Sequence, residues 1–118
     1  MNFIECTNKS SQGKVLNFIK THYKDDPNYI DYSTPILKDI FEGKSAFSKN
    51  LWYQTYLIEE NAKFVGVVTY LIHQNYSEVL QIAFLEYDNN PAIAAQIIET
   101  AKILCLAKGI RQIVAGMN

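Results

Sequence analysis

The sequence contains few of the residues that build metal sites and disulfide frameworks. Its 118 residues include two cysteines, Cys6 and Cys105, and two histidines, His22 and His73. The cysteines are far apart and neither belongs to a CxxC motif, so neither a disulfide framework nor a structural zinc site is expected. Free thiols in a reducing compartment are the simplest account, and we therefore expect a cytoplasmic protein.

An excess of one charge is also missing. Eleven lysine and arginine residues stand against twelve aspartate and glutamate residues, which gives a net charge of -1. Because the charges are balanced and dispersed, broad electrostatic attraction to nucleic acids or anionic membranes is not expected. No apolar run approaches the roughly 18 residues that a membrane span needs, and the N-terminus carries no apolar signal segment. We expect no nucleic-acid partner and no membrane association.

Proline and glycine are scarce, with 3 and 5 in the chain, so each one present is informative about where a helix or strand begins or ends. Residues 3–7 form a short strand candidate. Residues 10–26 predict a helix that ends before Pro27, because proline disfavours helical geometry in the residue that precedes it. The apolar side of this helix consists of Val15, Leu16, Ile19 and Tyr23.

A second helix is predicted to begin near Ser33 or Thr34, either of which can cap its first turn. Pro35 suits the first turn of a helix, and Gly43 is typical of a helix stop. The apolar stripe of this helix consists of Ile36, Leu37, Ile40 and Phe41. Two helices therefore precede the main sheet.

The hydrophobic pattern changes after residue 50. Residues 51–60 (LWYQTYLIEE) and 63–73 (KFVGVVTYLIH) are rich in aromatic and β-branched residues and predict two strands. The ENA turn between them is short, so they are expected to form a hairpin. A third strand at residues 78–86 is expected to pair antiparallel with the second, because the connection is too short for a crossover.

The stretch QIAFLEYDNNPAIAAQ joins this third strand to a long helix. Asn90 is a good N-cap, Pro91 suits the first helical position, and apolar residues recur at helical spacing as far as Gly109. Residues 110–118 predict a final strand that returns by a right-handed parallel crossover. We therefore expect one α/β (α+β) domain over residues 1–118, with a mixed, mainly antiparallel sheet flanked by helices in the order β-α-α-β-β-β-α-β.

This element order resembles the N-terminal two-thirds of the GNAT superfamily of acyl-CoA-dependent N-acetyltransferases. Three sequence segments strengthen the resemblance. They are HYKDDPNYI at residues 22–30, the EENAKFVGVVTYLIHQNYSE hairpin with Gly66, and FLEYDNNPAIAAQIIETAKILCLAKGI at residues 84–110. These phrases are similar to those of a branch of GNAT-like acetyltransferases. The resemblance covers roughly residues 15–118 and implies a domain that lacks the family's last helix and strands.

The resemblance also implies a cosubstrate, acetyl-CoA, and the residues that would hold it. In the family, the strand that matches Val79–Glu86 offers backbone groups to the pantetheine arm, which here implicates Phe84 and Leu85. The following loop and helix start hold the pyrophosphate, because a helix N-terminus presents free N–H groups and a positive dipole end. The implied phosphate-binding residues are Asn90, Ala92, Ala94 and Ala95.

The phosphate loop departs from the family pattern. The family's usual loop contains glycines and begins with glutamine or arginine, whereas DNNPAIAA has no glycine and no arginine, and Pro91 lacks an N–H group. The carboxylate of Asp88 would repel a phosphate. The sequence given also stops at Asn118, where the family continues with the elements that complete the acyl-binding cleft.

Two acids and a tyrosine lie where the third strand ends. Glu86 occupies a position at which GNAT enzymes often place the carboxylate that removes a proton from the amine, so the resemblance makes it the catalytic candidate. The ordinary alternative is a solvated acid at a strand end. Tyr87 and Asp88 could orient the substrate, but a strand-to-helix loop is commonly polar for solubility.

Neither histidine has a distinctive sequence context. His73 directly follows an apolar strand and could act as a base near neutral pH, although such a residue more often simply ends a strand. His22 lies near Asp25 and Asp26, but this group has low specificity for a metal and is typical of a helix terminus.

The remaining candidates are apolar or small. The five strand aromatics could line a substrate pocket or belong to the core. Cys105 lies on the apolar face of the long helix and is expected to be packing rather than a nucleophile. Gly66 is expected to permit close packing or a bulge in the second strand. The aromatics in question are Trp52, Tyr53, Tyr56, Tyr70 and Phe84.

Two functions from different classes remain open at this stage. The resemblance favours transfer of an acetyl group from acetyl-CoA to an amine that the sequence does not identify. The alternative is a non-catalytic GNAT-like module that binds a ligand or partner, or forms a homodimer through its open sheet edge. The glycine-free loop and the missing last elements favour the alternative. A nucleic-acid-binding domain is disfavoured by the absence of a basic cluster.

Overall fold

A computed structural model describes residues 1–22, 24–28, 30–44 and 48–115. The elements follow the predicted order β-α-α-β-β-β-α-β, and the mixed α/β architecture is confirmed. They are β1 (Asn2–Glu5), α1 (Lys9–His22), α2 (Ser33–Glu42), β2 (Leu51–Glu60), β3 (Lys63–His73), β4 (Val79–Tyr87), α3 (Pro91–Lys108) and β5 (Gln112–Ala115).

The strands form one five-stranded sheet in the order β1-β2-β3-β4-β5. The first three junctions are antiparallel, and β5 pairs parallel with β4, as the crossover through α3 requires. The predicted hairpin is confirmed, and Asn61 and Ala62 make its turn with φ angles of 55° and 62°. The final strand occupies Gln112–Ala115, and the predicted extension over residues 116–118 lies outside the described residues.

Helix α1 is shorter at its C-terminus than the sequence predicts. It begins after Asn8, whose Oδ1 accepts a hydrogen bond from the Ser11 amide at 2.8 Å, and it ends at His22. The prediction that it continues to Asp26 is wrong, because the Asp26 carboxylate accepts from the Asn28 amide at 2.9 Å and forms a local turn. Tyr23, predicted on the apolar side, lies outside the described residues.

Helix α2 is capped by a residue that the sequence analysis did not single out. The Oδ1 atom of Asp31 accepts hydrogen bonds from the amides of Ser33 and Thr34 at 3.1 Å and 2.9 Å. Capping by Ser33 or Thr34 themselves was therefore a wrong prediction. Burial works to raise the pKa of Asp31, but these hydrogen bonds outweigh it and the pKa is lowered. The helix ends as predicted at Gly43, which has a left-handed φ of 68°.

The sheet separates two apolar clusters, because successive strand residues point to opposite faces. The first cluster lies between the sheet and the helix pair α1 and α2, and includes Cys6 and Leu57. The second lies between the sheet and α3, and includes Cys105 and the fully buried Tyr70, whose hydroxyl donates to the Ile97 carbonyl at 2.8 Å. Cys105 is thus part of the core, as expected. Burial raises the pKa of both thiols.

No helix in the described parts of the chain has the length and apolar character needed to cross a lipid bilayer. The same parts contain no group of three or more histidine, cysteine, aspartate or glutamate side chains arranged to hold a metal ion.

Candidate functional site

The central feature of the site is a bulge in β4. Between the paired positions Thr69↔Ala83 and Val67↔Glu86, β3 has one residue whereas β4 has two, Phe84 and Leu85. Phe84 has a φ of 50°, which is unusual for a residue with a side chain and marks the point where the strand departs from regular geometry. Sequence reasoning missed the bulge, because no glycine signals it.

The bulge changes which face of the sheet the end of β4 presents. Ala83 and Phe84 are consecutive and yet both belong to the cluster under α1 and α2. Leu85 and Tyr87 pack against the cluster under α3, whereas Glu86 lies on the α1 side. In a regular strand, Glu86 would share the face of Leu80 and Ile82 and point toward α3. The extra residue therefore brings Glu86 to the α1 face.

On the α1 face, Glu86 meets His22 from the last turn of α1. The His22 Nε2 atom lies 3.9 Å from Glu86 Oε2, which is within ion-pair distance if the imidazole is protonated but too long for a direct hydrogen bond. The side chains are 24% and 12% exposed, so the pair is largely shielded from solvent. The His22 ring stacks on Phe18, with centroids 5.6 Å apart and planes 30° apart.

Glu86 and His22 carry no sequence signal that links them. Glu86 is the catalytic candidate predicted from the resemblance, and the structure places it next to the bulge and beside a histidine. His22 was interpreted as an ordinary helix terminus near acids, which is where it lies, but the acid it meets is 64 positions away rather than Asp25 or Asp26. Only the tertiary fold reveals this pair. Tyr87, the second residue predicted for the catalytic site, lies on the other face, because consecutive strand residues alternate, so the fold does not bring it together with Glu86.

Gly66 lies opposite the end of β4 and permits the close approach predicted for it. A Cβ atom at this position would lie 3.0 Å from the Tyr87 Cβ, 3.1 Å from Ile58 Cδ1 and 3.2 Å from the Glu86 carbonyl oxygen. The β2–β3 register also shifts beside Gly66, as the predicted bulge requires. The absence of a side chain therefore lets β3 support the Glu86 backbone closely.

The first turn of α3 already uses its donors internally. The Asn90 side-chain oxygen accepts from the Ala92 amide at 2.9 Å, which confirms the predicted cap. The Asn90 carbonyl accepts from Ile93 at 3.0 Å and from Ala94 at 3.4 Å, and Pro91 has no N–H group. Of the residues predicted to hold the pyrophosphate, Ala92 and Ala94 therefore have engaged amides in this conformation.

The two halves of the predicted acetyl-CoA site differ in how well they fit the ligand. Within the described residues, β5 pairs with β4 only over Val79–Ile82, so no described strand covers Ala83–Tyr87 on that side. This bulged edge, which includes Phe84 and Leu85, fits an extended arm that needs backbone partners. The start of α3 fits a phosphate only if the Asn90 side chain turns away from Ala92, and Asp88 adds an unfavourable charge nearby.

An apolar pocket of about 340 Å³ opens on the α1 and α2 face beside the bulge. The bulge residue Phe84 and the preceding residue Ala83 form part of its wall. Among the five strand aromatics considered as pocket residues, Phe84 lines this pocket. Tyr70 is buried in the core, Trp52 and Tyr56 pack toward α3, and Tyr53 packs against the cluster under α1 and α2. The described residues that line it are Ile36, Ile40, Leu51, Leu71, His73, Tyr76, Gln81, Ala83 and Phe84.

His73 ends β3, as the ordinary interpretation expects, but it also reaches this pocket. Its Nδ1 atom accepts a hydrogen bond from the Asn75 amide at 3.1 Å, and its ring lies 5.9 Å from the Tyr76 ring. These contacts tie the histidine to the short turn between β3 and β4. They place it at the pocket wall and give it a local structural role.

Comparison with known proteins identifies the fold. No family model matches the sequence, and no curated protein matches it. Two solved structures illustrate the likeness. A GNAT-family acetyltransferase from Staphylococcus aureus Mu50 is 22% identical, with a TM-score of 0.70, and the match covers 98% of this chain and 72% of that one. A predicted acetyltransferase from Clostridium acetobutylicum, solved with acetyl-CoA, is 12% identical, with a TM-score of 0.66 and coverage of 99% and 80%.

Identities this low establish shared architecture rather than shared chemistry. The element order, the mixed sheet and near-complete coverage of this chain agree with the resemblance found in the sequence. The chain therefore has the fold of the GNAT acetyltransferases.

Proposed function

We propose that this protein is an acetyl-CoA-dependent N-acetyltransferase that acts on a small amine. The observation that carries the proposal is the β4 bulge, which turns Glu86 to the same face as an apolar pocket, next to a part of β4 that no described strand covers. The GNAT fold and the acetyl-CoA bound to the Clostridium acetobutylicum protein support the same assignment.

Glu86 is the base in this proposal. It accepts a proton from the acceptor amine, so that the nitrogen lone pair becomes available for attack. The donor supplies an acetyl group activated as a thioester, whose C–S bond breaks as the new N–C bond forms. Backbone N–H groups at the Phe84–Glu86 end of β4 stabilise the negative charge that develops on the carbonyl oxygen. No covalent intermediate with the protein is required.

The acceptor occupies the apolar pocket in this proposal. Among the described residues, its wall is mainly aliphatic and aromatic, with His73 and Gln81 as polar groups and no carboxylate or lysine. A pocket of this kind favours a single amine on an apolar body over a polyamine, because further positive charges would be desolvated without a partner. Phenethylamine and branched alkylamines are suitable first probes.

The experiment that tests the function measures thiol release from acetyl-CoA with a panel of amines. We expect the wild-type chain to acetylate apolar amines and Glu86→Gln to lose activity by about 100-fold or more, because the amide cannot take up the proton. Glu99→Gln is the matched control, since Glu99 is 60% exposed on α3 and pairs only loosely with Lys102 at 4.0 Å. Equal activity in both variants would exclude Glu86 as the base.

A specific observation keeps a non-catalytic module as the second candidate. The donors in the first turn of α3 are engaged, as described above, and β5 lies at the edge of the sheet, where a second copy could add a strand. Titration with acetyl-CoA and light scattering distinguish the candidates. A folded homodimer that does not bind acetyl-CoA would favour the module. In either case, the free thiols of Cys6 and Cys105 support a cytoplasmic location.

A further inference from the structure

His22 contacts Glu86 from a different element of the fold. The last turn of α1 delivers its imidazole to the α1 face of the sheet, and the β4 bulge delivers the Glu86 carboxylate to the same place, with Nε2 and Oε2 3.9 Å apart. Stacking on Phe18 restricts the ring, and both side chains are mostly buried. Two independent features therefore converge on one pair.

We propose that His22 is a positioning residue that holds the Glu86 carboxylate in the orientation in which it accepts the amine proton. This inference rests on the proposed function, because it assigns His22 a role in the same reaction. A glutamate has three rotatable side-chain bonds, so its carboxylate can occupy several rotamers. An imidazole within ion-pair reach favours the rotamers that keep the carboxylate on the α1 face.

The position of His22 suits this role. Its ring lies in the last turn of α1, and the packing of this helix on the sheet holds Nε2 3.9 Å from Glu86 Oε2. Nε2 is therefore the imidazole atom that faces the carboxylate. His22 acts through Glu86 and need not touch the substrate, so its effect belongs mainly to kcat rather than to KM.

Two substitutions separate positioning from simple packing. His22→Phe keeps an aromatic ring to stack on Phe18 but removes the ring nitrogen that faces Glu86, and we expect kcat to fall by roughly 10- to 100-fold with KM for acetyl-CoA unchanged. His22→Gln loses the ring but keeps an N–H donor, and we expect it to retain most of the wild-type kcat. The opposite ranking, with Phe active and Gln impaired, would overturn the proposal in favour of a packing role.

A double-mutant cycle tests whether His22 acts through Glu86. In a Glu86→Gln background, His22→Phe should cause little further loss of kcat, because no carboxylate remains to be oriented. Losses that multiply would show that the two residues act independently. Lys20→Gln is the control for changes in the same helix turn, since Lys20 is exposed and lies outside the site.

A readout without activity distinguishes failure of this inference from failure of the proposed function. Three-bond NMR couplings report the χ1 distribution of Glu86 in the wild type and in His22→Phe. We expect one dominant rotamer in the wild type and averaging in the variant, even if no amine is acetylated. Identical couplings would refute positioning by His22. If Glu86 has one rotamer in the wild type and averaged rotamers in His22→Phe, but the wild type acetylates no amine, only the proposed reaction would be refuted.

Discussion

At the scale of single residues, the end of β4 depends on Phe84 and Gly66. Phe84 has a side chain in a backbone conformation that usually favours glycine, and Gly66 has no side chain at a position with little room for one. Phe84 adopts a φ of 50° within the bulge and buries its ring, so the packing of the ring offsets the conformational cost. Gly66 stands across the ladder, where the backbone of Glu86 approaches too closely for a side chain. Together, these two residues determine the position of Glu86 at the end of β4.

Substitution of Gly66 by alanine should therefore be destabilising. A Cβ atom 3.0 Å from the Tyr87 Cβ and 3.2 Å from the Glu86 carbonyl oxygen requires the facing strand to give by a few tenths of an ångström, at a cost of about 1–3 kcal/mol in the free energy of unfolding. Gly13→Ala is the control, because no atom of the residues outside α1 that the structure describes lies within 4 Å of the added methyl group, and α1 gains about 0.5–1 kcal/mol. Urea unfolding monitored by circular dichroism measures both. A Gly66→Ala protein as stable as the wild type would contradict the close approach.

At the scale of elements, the sequence predicted best where local patterns decide the structure. The boundaries of β2 and β3 follow from their aromatic and β-branched residues, and the start of α3 follows from Asn90 and Pro91. The end of α1 was predicted too late in the chain, because the acids before Pro27 form a local turn and do not continue the helix. The bulge was missed because Ile82 to Leu85 are all apolar, so the pattern does not show where the face changes.

The candidate site was therefore predicted only in part. Glu86 could be predicted as a catalytic candidate because it ends the predicted third strand, where the family that the sequence resembles often has a carboxylate. The face on which it lies and the residue that it contacts depend on the bulge and on the packing of α1. A contact between residues 22 and 86 has no local sequence signal. The same limit applies to the start of α3, where the glycine-free loop was visible but the engagement of its amides was not.

The N-cap of α3 gives a prediction at the same scale. Asn90→Gly removes the side chain that occupies the Ala92 amide, while glycine remains an acceptable cap at a cost of only a few tenths of a kcal/mol. If the pyrophosphate binds there, acetyl-CoA affinity should rise severalfold, because a donor is released for a charged acceptor. Ala92→Glu should weaken binding, since its carboxylate would repel the phosphates. Calorimetric titration of both variants checks this, and unchanged affinities would place the phosphates elsewhere.

At the scale of the whole molecule, three buried ionisable side chains make the free energy of unfolding depend on pH in the alkaline range. Cys6 lies in the cluster under α1 and α2, and Cys105 and Tyr70 lie in the cluster under α3. Burial raises the pKa of each of these groups, because the ionised form loses its hydration. Both layers of the fold therefore oppose ionisation, whichever function the site performs.

The free energy of unfolding should consequently fall as the pH rises above about 8.5, where cysteine ionises in the unfolded chain. The folded state keeps its protons there and the unfolded state does not, so stability is full below this pH and is lost above it. Each thiol that stays protonated contributes a slope of about 1.4 kcal/mol per pH unit, and Tyr70 adds to it above roughly pH 10. Urea unfolding at pH 7.5, 9 and 10 measures the slope. A Cys6→Ala, Cys105→Ala double variant should be less stable at pH 7.5 but flatter between pH 8.5 and 10, whereas a slope equal to that of the wild type would show that the buried thiols do not control it.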